Sequence, residues 1–388
     1  MAFLFFPTLI VAFYMAWNIG ANDVANAMGT AVGSKSLSLK RALILSVIFE
    51  FMGAILFGDR VVTTMGTGIV NPNSFPEAST FSLGMFSALI SVSLWLNFAT
   101  YMGYPVSTTH SLLGAIVGFG MVAEGDIYGG KVLRIASGFA LSPIIGGLLS
   151  YIFFHILSMV VLNGKNFNEN SKKYFPLMAT LTFSSQLLFL FHVKFYDNFS
   201  IYFSAMFLTL NYIFFYILCK LFLGEKSGIE IFKYLQAISA IFVAFAHGAN
   251  DVSNSIGPVW GIIGEGDRIP LWLLLFGGIG VVLGILTKGH RVIDTIGERI
   301  TYLTPSLGFI SSFAASITVL FSSRIGLPIS TTHTIVGSIM GVTFAKKMKK
   351  INRNTIIDIF KVWIVTMPAN FLLCILIFFF LKFLNINY

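Results

Sequence analysis

Two acidic residues, each inside a nearly identical polar string, stand out from a chain that carries little other charge. Asp23 lies in Gly20-Ala-Asn-Asp-Val-Ala-Asn-Ala-Met-Gly29, and Asp251 lies in Gly248-Ala-Asn-Asp-Val-Ser-Asn-Ser-Ile-Gly257. With Asn22, Asn26, Asn250 and Asn254 they offer hard oxygen ligands, which suit sodium or a proton better than a soft transition metal. A second string, Pro105-Val-Ser107-Thr108-Thr109-His110, returns as Pro328-Ile-Ser330-Thr331-Thr332-His333. Proline ends one helix, hydroxyl residues open the next, and a helix opening this way presents free N–H groups and the positive end of its dipole to an anion. Carboxylates repel a bare anion, and a buried unpaired charge is costly, so a cation has to travel with it. The blander reading, in which Asp23 and the Ser-Thr-Thr triplets only cap helices, stays open for a single copy and weakens when each feature occurs twice. His110 and His333 either bond within the turn or touch the ligand.

The elements that position these strings follow from composition. The chain has 388 residues, is 56% hydrophobic and 11% charged, and has a mean hydropathy of +0.84. It is too apolar for a water-soluble fold. Runs such as 3–17, 42–57, 81–101 and 271–286 recur along it, and about 20 apolar helical residues cross a bilayer. The alternation of a membrane barrel is missing, so the fold class is all-α and polytopic. The net charge of +9 sits in short loops between spans, as topology requires, and not in a surface for nucleic acid. Cys219 and Cys374 lie in apolar runs and suggest neither a disulfide nor a thiolate metal site. The N-terminus lacks a basic leader and a cleavage site, and reads as a retained first span.

The strings are parts of a duplication. Asn22 and Asn250 are 228 positions apart, His110 and His333 are 223 apart, and between them Arg60-Val-Val-Thr-Thr-Met-Gly66 is echoed by Arg291-Val-Ile-Asp-Thr-Ile-Gly297. Lys35, Lys40 and Arg41 put the loop after the first motif inside and the N-terminus outside, whereas Lys220, Lys226 and Lys233 start the second motif helix inside, so the repeats are inverted. After His333 only about a dozen residues remain before Lys346, Lys347, Lys349 and Lys350, too few for a crossing. Residues 306–345 therefore read as a re-entrant hairpin with its tip at Ser-Thr-Thr, and 81–121 as its counterpart from the other side. The expected organisation is a first repeat over 1–163 and a second over 230–388, with a linker loop and two connecting spans over 164–229. Each repeat holds a broken helix, a span, a hairpin and a long span. Glycine and the side chains of Asn and Asp favour interruption of the motif helices, because irregular backbone at membrane depth lines a cavity.

With these motifs in both halves, the chain resembles the inorganic phosphate transporter family of cation-coupled phosphate permeases. The resemblance covers residues 10–150 and 230–370. It implies phosphate as substrate, with Asp23, Asp251, Ser107, Thr108, Thr109, Ser330, Thr331 and Thr332 around phosphate and Asn22, Asp23, Asn26, Asn250, Asp251 and Asn254 around sodium. It also implies twelve membrane segments with both termini outside. Asn-Asp in the motif helix is similar to the sodium-dependent branch, whereas His-Asp marks many proton-coupled members. Glu50 is a membrane acid that the family uses; its repeat counterpart is Val281, and near Ser312, where many members carry Glu, this chain has none. Gln236, His247 and Glu50 are further candidates without a match in the other copy.

The function expected is therefore a secondary active transporter in the cell membrane, carrying phosphate by alternating access with sodium, or else phosphate or metal-phosphate with protons, and needing no cofactor. Its partners are phosphate, the coupling cation, membrane lipid and a second copy in a homodimer. Sulfate would fit the same hairpin tips, although it brings no proton for the carboxylates at neutral pH. An intramembrane hydrolase built on Ser107 and His110 is the reading from another class, and two matched, opposed copies argue against it. An anion channel is the last alternative.

Overall fold

The computed structural model describes residues 2–162, 166–194, 201–263, 268–348 and 352–384. Among them the chain is helical, with one isolated β-bridge. The first half contains α1 (Ala2–Gly33), α2 (Leu39–Phe57), α3 (Asp59–Thr67), α4 (Ala78–Met102), α5 (Thr108–Val122) and α6 (Gly129–Leu157). Next come α7 (Phe167–Lys194) and α8 (Ile201–Leu218). The second half follows with α9 (Gly228–Ile263), α10 (Leu271–Lys288), α11 (His290–Asp294), α12 (Pro305–Arg324), α13 (Thr331–Ala345) and α14 (Arg353–Phe383). Seven helices among the described residues are long and apolar enough to cross a membrane, or eight if the bent pair α2 and α3 is one span. The protein is an integral membrane protein.

Both re-entrant hairpins are present. The arms α4 and α5 meet at Gly103, whose φ of 73° only glycine adopts readily, and α12 and α13 meet at Gly326 with φ 64°. The base of the first hairpin closes on itself: Val70 bridges Ile127, Asn71 N donates to Asp126 O at 2.9 Å and Tyr128 N to Ile69 O at 2.9 Å. The second closes through Asn352 N to Ile300 O at 3.1 Å. The chain thus leaves each hairpin on the face where it entered. Lys349 and Lys350 lie outside the described residues. First arms α4 and α12 are surrounded by protein, with 67% and 78% of their most apolar window buried, whereas the long helices α6 and α14 bury only 28%.

Two expectations need correction. The break expected at Gly20 and Gly248 does not interrupt the helix, because α1 and α9 run continuously through both strings. Asn22 and Asn250 bond across to the hairpins and not to their own backbone, so the competition that would open the helix does not arise. The glycines serve close packing instead: a Cβ on Gly20 would lie 1.9 Å from Val281 O, and one on Gly248 2.0 Å from Glu50 O. The polar run after Asn163 is also not all loop. Residues 163–165 lie outside the described part, but α7 starts at Phe167. Its first turns are held by Asn168, which accepts from Gly228 N at 2.8 Å, and by Lys172, which donates to Gly224 O at 2.6 Å.

The copies interlock. Helix α1 packs on α10 and α11 of the second copy, while α9 packs on α2 and α3 of the first. The same exchange governs the hairpins: α5 lies on α14 and α13 lies on α6. Gly114 and Gly118 face Met367 O and Phe371 O, where a Cβ would come within 2.4 and 2.6 Å. Gly337 and Gly341 face Pro143 O and Gly147 O, at 2.2 and 2.0 Å. Small residues four apart let helix backbones approach in a membrane, where apolar side chains gain little by leaving lipid.

Candidate functional site

The two Asn-Asp strings and the two hairpin tips converge at the centre of this interlocked core. Ser107 and Ser330 are the N-caps of α5 and α13; their hydroxyls accept from His110 N at 3.3 Å and His333 N at 3.1 Å. The amides of Thr108 and Thr109, and of Thr331 and Thr332, lie in the first turn, where no carbonyl four residues earlier belongs to the helix. Their hydroxyls tie the tips to the motif helices. Thr108 Oγ1 donates to Asp23 Oδ2 at 2.7 Å, and Thr331 Oγ1 donates to Asp251 Oδ2 at 2.9 Å. Thr332 Oγ1 donates to Val106 O at 3.1 Å and Thr109 Oγ1 to Ile329 O at 3.3 Å, so each tip also holds the other.

The asparagines repeat the symmetry. Asn26 Nδ2 donates to Asp23 Oδ1 at 3.3 Å and Thr332 Oγ1 at 2.9 Å; Asn254 Nδ2 donates to Asp251 Oδ1 at 3.1 Å and Thr109 Oγ1 at 3.3 Å. Asn22 Nδ2 bonds Thr100 Oγ1 and Tyr104 O, and its Oδ1 accepts from Val106 N. Asn250 Nδ2 bonds Asp251 Oδ1 and Ile329 O. All four asparagines and both aspartates are buried. Among the described residues, nothing donates to Asn26 Oδ1 or Asn254 Oδ1. A buried carbonyl oxygen without a donor is costly, and next to a carboxylate it is a ready ligand for a small hard cation.

One group at the centre breaks the symmetry. His247 places Nε2 3.0 Å from Asp251 Oδ2 and 3.8 Å from Asp23 Oδ2, while Nδ1 lies 2.8 Å from Glu50 Oε2. Glu50 in turn accepts from Ser46. Asp23, His247 and Asp251 form a compact buried group of potential ligands. The packing of Gly20 on Val281 and of Gly248 on Glu50 gives Val281 as the counterpart of Glu50, as the sequence alignment of the copies expects. The first copy has Ile19 where the second has His247. His247, a candidate without a match in the other copy, is signalled in the sequence by its position four residues before Asp251, on the same helix face.

The remaining candidates stand apart from the aspartates. Gln236 Nε2 donates to Thr30 Oγ1 at 2.9 Å and Ser312 Oγ at 3.3 Å, a separate buried cluster. His110 stacks on Phe139 and His333 on Trp363, each with ring centroids 3.6 Å apart. Both rings face an apolar cavity of about 1070 Å³ between α6, α13 and α14. His110 Nδ1 lies 2.7 Å from Ser107 Oγ, but among the described residues no carboxylate pairs with His110 to complete a hydrolytic relay. His333 has no such serine contact; its Nδ1 lies 3.4 Å from Phe139 O.

Residues 19–374 match the family described as phosphate transporter family. The chain belongs to that family. A protein of Pyrococcus furiosus named provisionally as a phosphate permease is 38% identical, over 93% of this chain and 92% of its own. The chloroplastic inorganic phosphate transporter 2-1 of Arabidopsis thaliana is 37% identical, over 96% of this chain and 71% of its own. A solved structure titled as the sodium-dependent phosphate transporter is 34% identical, with a TM-score of 0.91, covering 98% of this chain and 99% of that one. The membrane fold of this phosphate transporter family member is thus that of a protein described as sodium-dependent.

Proposed function

We propose that the chain carries inorganic phosphate across a membrane by symport with sodium. The observation that carries this reading is the meeting of two uncommitted helix N-termini with two carboxylates and two donorless amide oxygens in one buried place. Phosphate would take the amides at the openings of α5 and α13, with Thr108, Thr109, Thr331 and Thr332 around it and Ser107 and Ser330 fixing the caps. Sodium would take oxygens from Asp23, Asp251, Asn26 and Asn254, and Asn22 and Asn250 would anchor the hairpins. The charges then balance: the anion is bound only when cations offset the carboxylates, which is the basis of coupling. The similarity to a transporter described as sodium-dependent supports the choice of cation.

Access would alternate by movement of the hairpins and motif helices against α6 and α14, along the glycine-lined contacts. The repeats 1–163 and 230–388 would lie inverted in the cell membrane, with both termini outside and a second copy packed on the long helices.

Proton coupling is the second reading, favoured by His247 between three carboxylates. Both are tested by uptake of radiolabelled phosphate into proteoliposomes with an inward sodium gradient, a potassium control and an inward proton gradient. Sodium-driven accumulation supports the first reading, proton-driven accumulation alone replaces it with the second, and uncoupled flux overturns both in favour of a channel.

A further inference from the structure

The geometry points to a second phosphoryl-anion site, in a basic cavity at one end of the bundle, separate from the Asp23–Asp251 centre. The cavity measures about 760 Å³ and lies where the end of α1, the end of α6, the start of α9, the start of α12 and the end of α13 come together. Lys35, Lys233, Lys346 and Lys347 line it, and among the described residues no acidic residue does. Among the described residues none of the four pairs with a carboxylate. Its inner wall is apolar, from Phe154 and Phe232.

Two observations beyond charge point to a ligand. Ser158, in the π-helical turn that continues α6, is 4% exposed, lines the cavity, and its hydroxyl has no hydrogen-bond partner among the described residues. A buried hydroxyl without a partner is costly unless something bonds it. In addition, α12 opens into the same cavity without a side-chain cap: Thr304 and Ser306 hydroxyls bond each other at 3.1 Å, and the first turn has no acid. The 20-residue helix therefore leaves amides and the positive end of its dipole facing the lysines.

Topology alone places lysines on one side of a membrane, and lysine suits a helix C-terminus. The other copy separates those effects from binding. The left-handed residue that follows the second hairpin arm is Lys347 at φ 52° in one copy and Glu124 at φ 57° in the other. The cap of the first arm is Thr304 in one and Glu77 in the other. The backbone accepts either charge at the first of these positions, and at the second the first hairpin places an acid at its own helix start. In the second hairpin that place is left for an outside anion.

The ligand chemistry is a phosphoryl group, either free phosphate or the headgroup of an anionic lipid whose chains lie along the apolar wall. The inference does not rest on the transport reading, and loss of sodium-driven uptake would leave it standing.

The test uses the full chain with Asp23→Asn, so that the central site is impaired, in nanodiscs. In pure phosphatidylcholine, residual binding of radiolabelled phosphate that disappears with Lys233→Gln/Lys346→Gln/Lys347→Gln identifies free phosphate as the ligand. In nanodiscs with phosphatidylglycerol, an anionic lipid retained in native mass spectra and lost in the same triple variant identifies a headgroup. Lysine-independent or absent binding in both arms overturns the site. Ser158→Ala in the same Asp23→Asn chain, with the lysines kept, is expected to weaken the bound species about tenfold, the scale of a hydrogen bond to a charged group. Unchanged affinity there, with lysine dependence intact, would reduce the cavity to a diffuse positive surface and also overturn it.

Discussion

The surroundings of Asp23 and Asp251 share one pattern of bonds, to which Asp251 adds a bond from Asn250 Nδ2 at 3.0 Å and a close histidine. Each carboxylate accepts from a threonine of one hairpin and from an asparagine one turn along its own helix. Only Asp251 has a histidine at 3.0 Å, and only that histidine is held by a glutamate and, through it, a serine. A twofold-like cradle suits a tetrahedral oxyanion approached from both faces, whereas the Ser46–Glu50–His247 chain biases the cradle towards one half. The symmetric part is expected to govern whether ligands bind, and the asymmetric part the rate of the loaded carrier.

The strongest test of that division is the pair Asp23→Asn and Asp251→Asn. Each is expected to reduce sodium-driven phosphate uptake by about 100-fold, since removing one member of a buried ionic group costs several kcal/mol. Substantial uptake by either variant alone would show that the copies are not equivalent. Next, Glu50→Gln should lower the maximal uptake rate about tenfold while the half-saturating phosphate concentration changes little, as expected for a lost hydrogen bond to a charged group. Its packing counterpart, Val281→Ala, should stay within about twofold; equal losses at the two positions would make Glu50 a packing residue.

The glycine contacts sharpen the comparison at the hairpins. Gly341→Ala must displace backbone at 2.0 Å and Gly118→Ala at 2.6 Å. Both should lower thermal stability by about 1–3 kcal/mol, the usual scale of overpacking, with Gly341→Ala the worse. A melting series in detergent with the reverse order would count against the contact distances. Ser46→Ala should have the smallest effect, about threefold or less on rate, because Glu50 keeps its bond to His247; a loss as large as that of Glu50→Gln would place Ser46 itself in the coupling step.

Much of this architecture could be read before any coordinates. Proline before Ser-Thr-Thr, with too little chain left for a crossing, was enough to give both hairpins and their tips. The duplicated Asn-Asp strings gave the central side chains. What the strings could not give was their partner: Asn22 looks like a helix breaker until Thr100 and Tyr104, some 80 residues on, are seen to take its bonds. Periodicity within a segment reports the local preference of the backbone, and here contacts distant in sequence override it. His247 is a related case: the repeat marks it as unmatched, but its place between Glu50 and Asp251 depends on a contact that spans 197 residues. Gly114 and Gly118, with their counterparts Gly337 and Gly341, carried a readable small-residue spacing in both copies, but only the exchanged packing shows which helix each pair meets.

That exchange has a consequence for how the protein is made. Gly114 of the first hairpin rests on Met367, roughly 250 residues later in synthesis, which at about 5–20 residues per second is a delay of some tens of seconds. Throughout that interval Asp23 and Thr108 can pair, but the tip has neither α14 beneath it nor the second tip across from it. A nascent half-protein would therefore present hydroxyls, amides and a carboxylate to lipid, where unsatisfied polar groups are costly. The first half would need shelter from the insertion machinery, or a wait at the bilayer surface, until α14 is made and closes the core over α5.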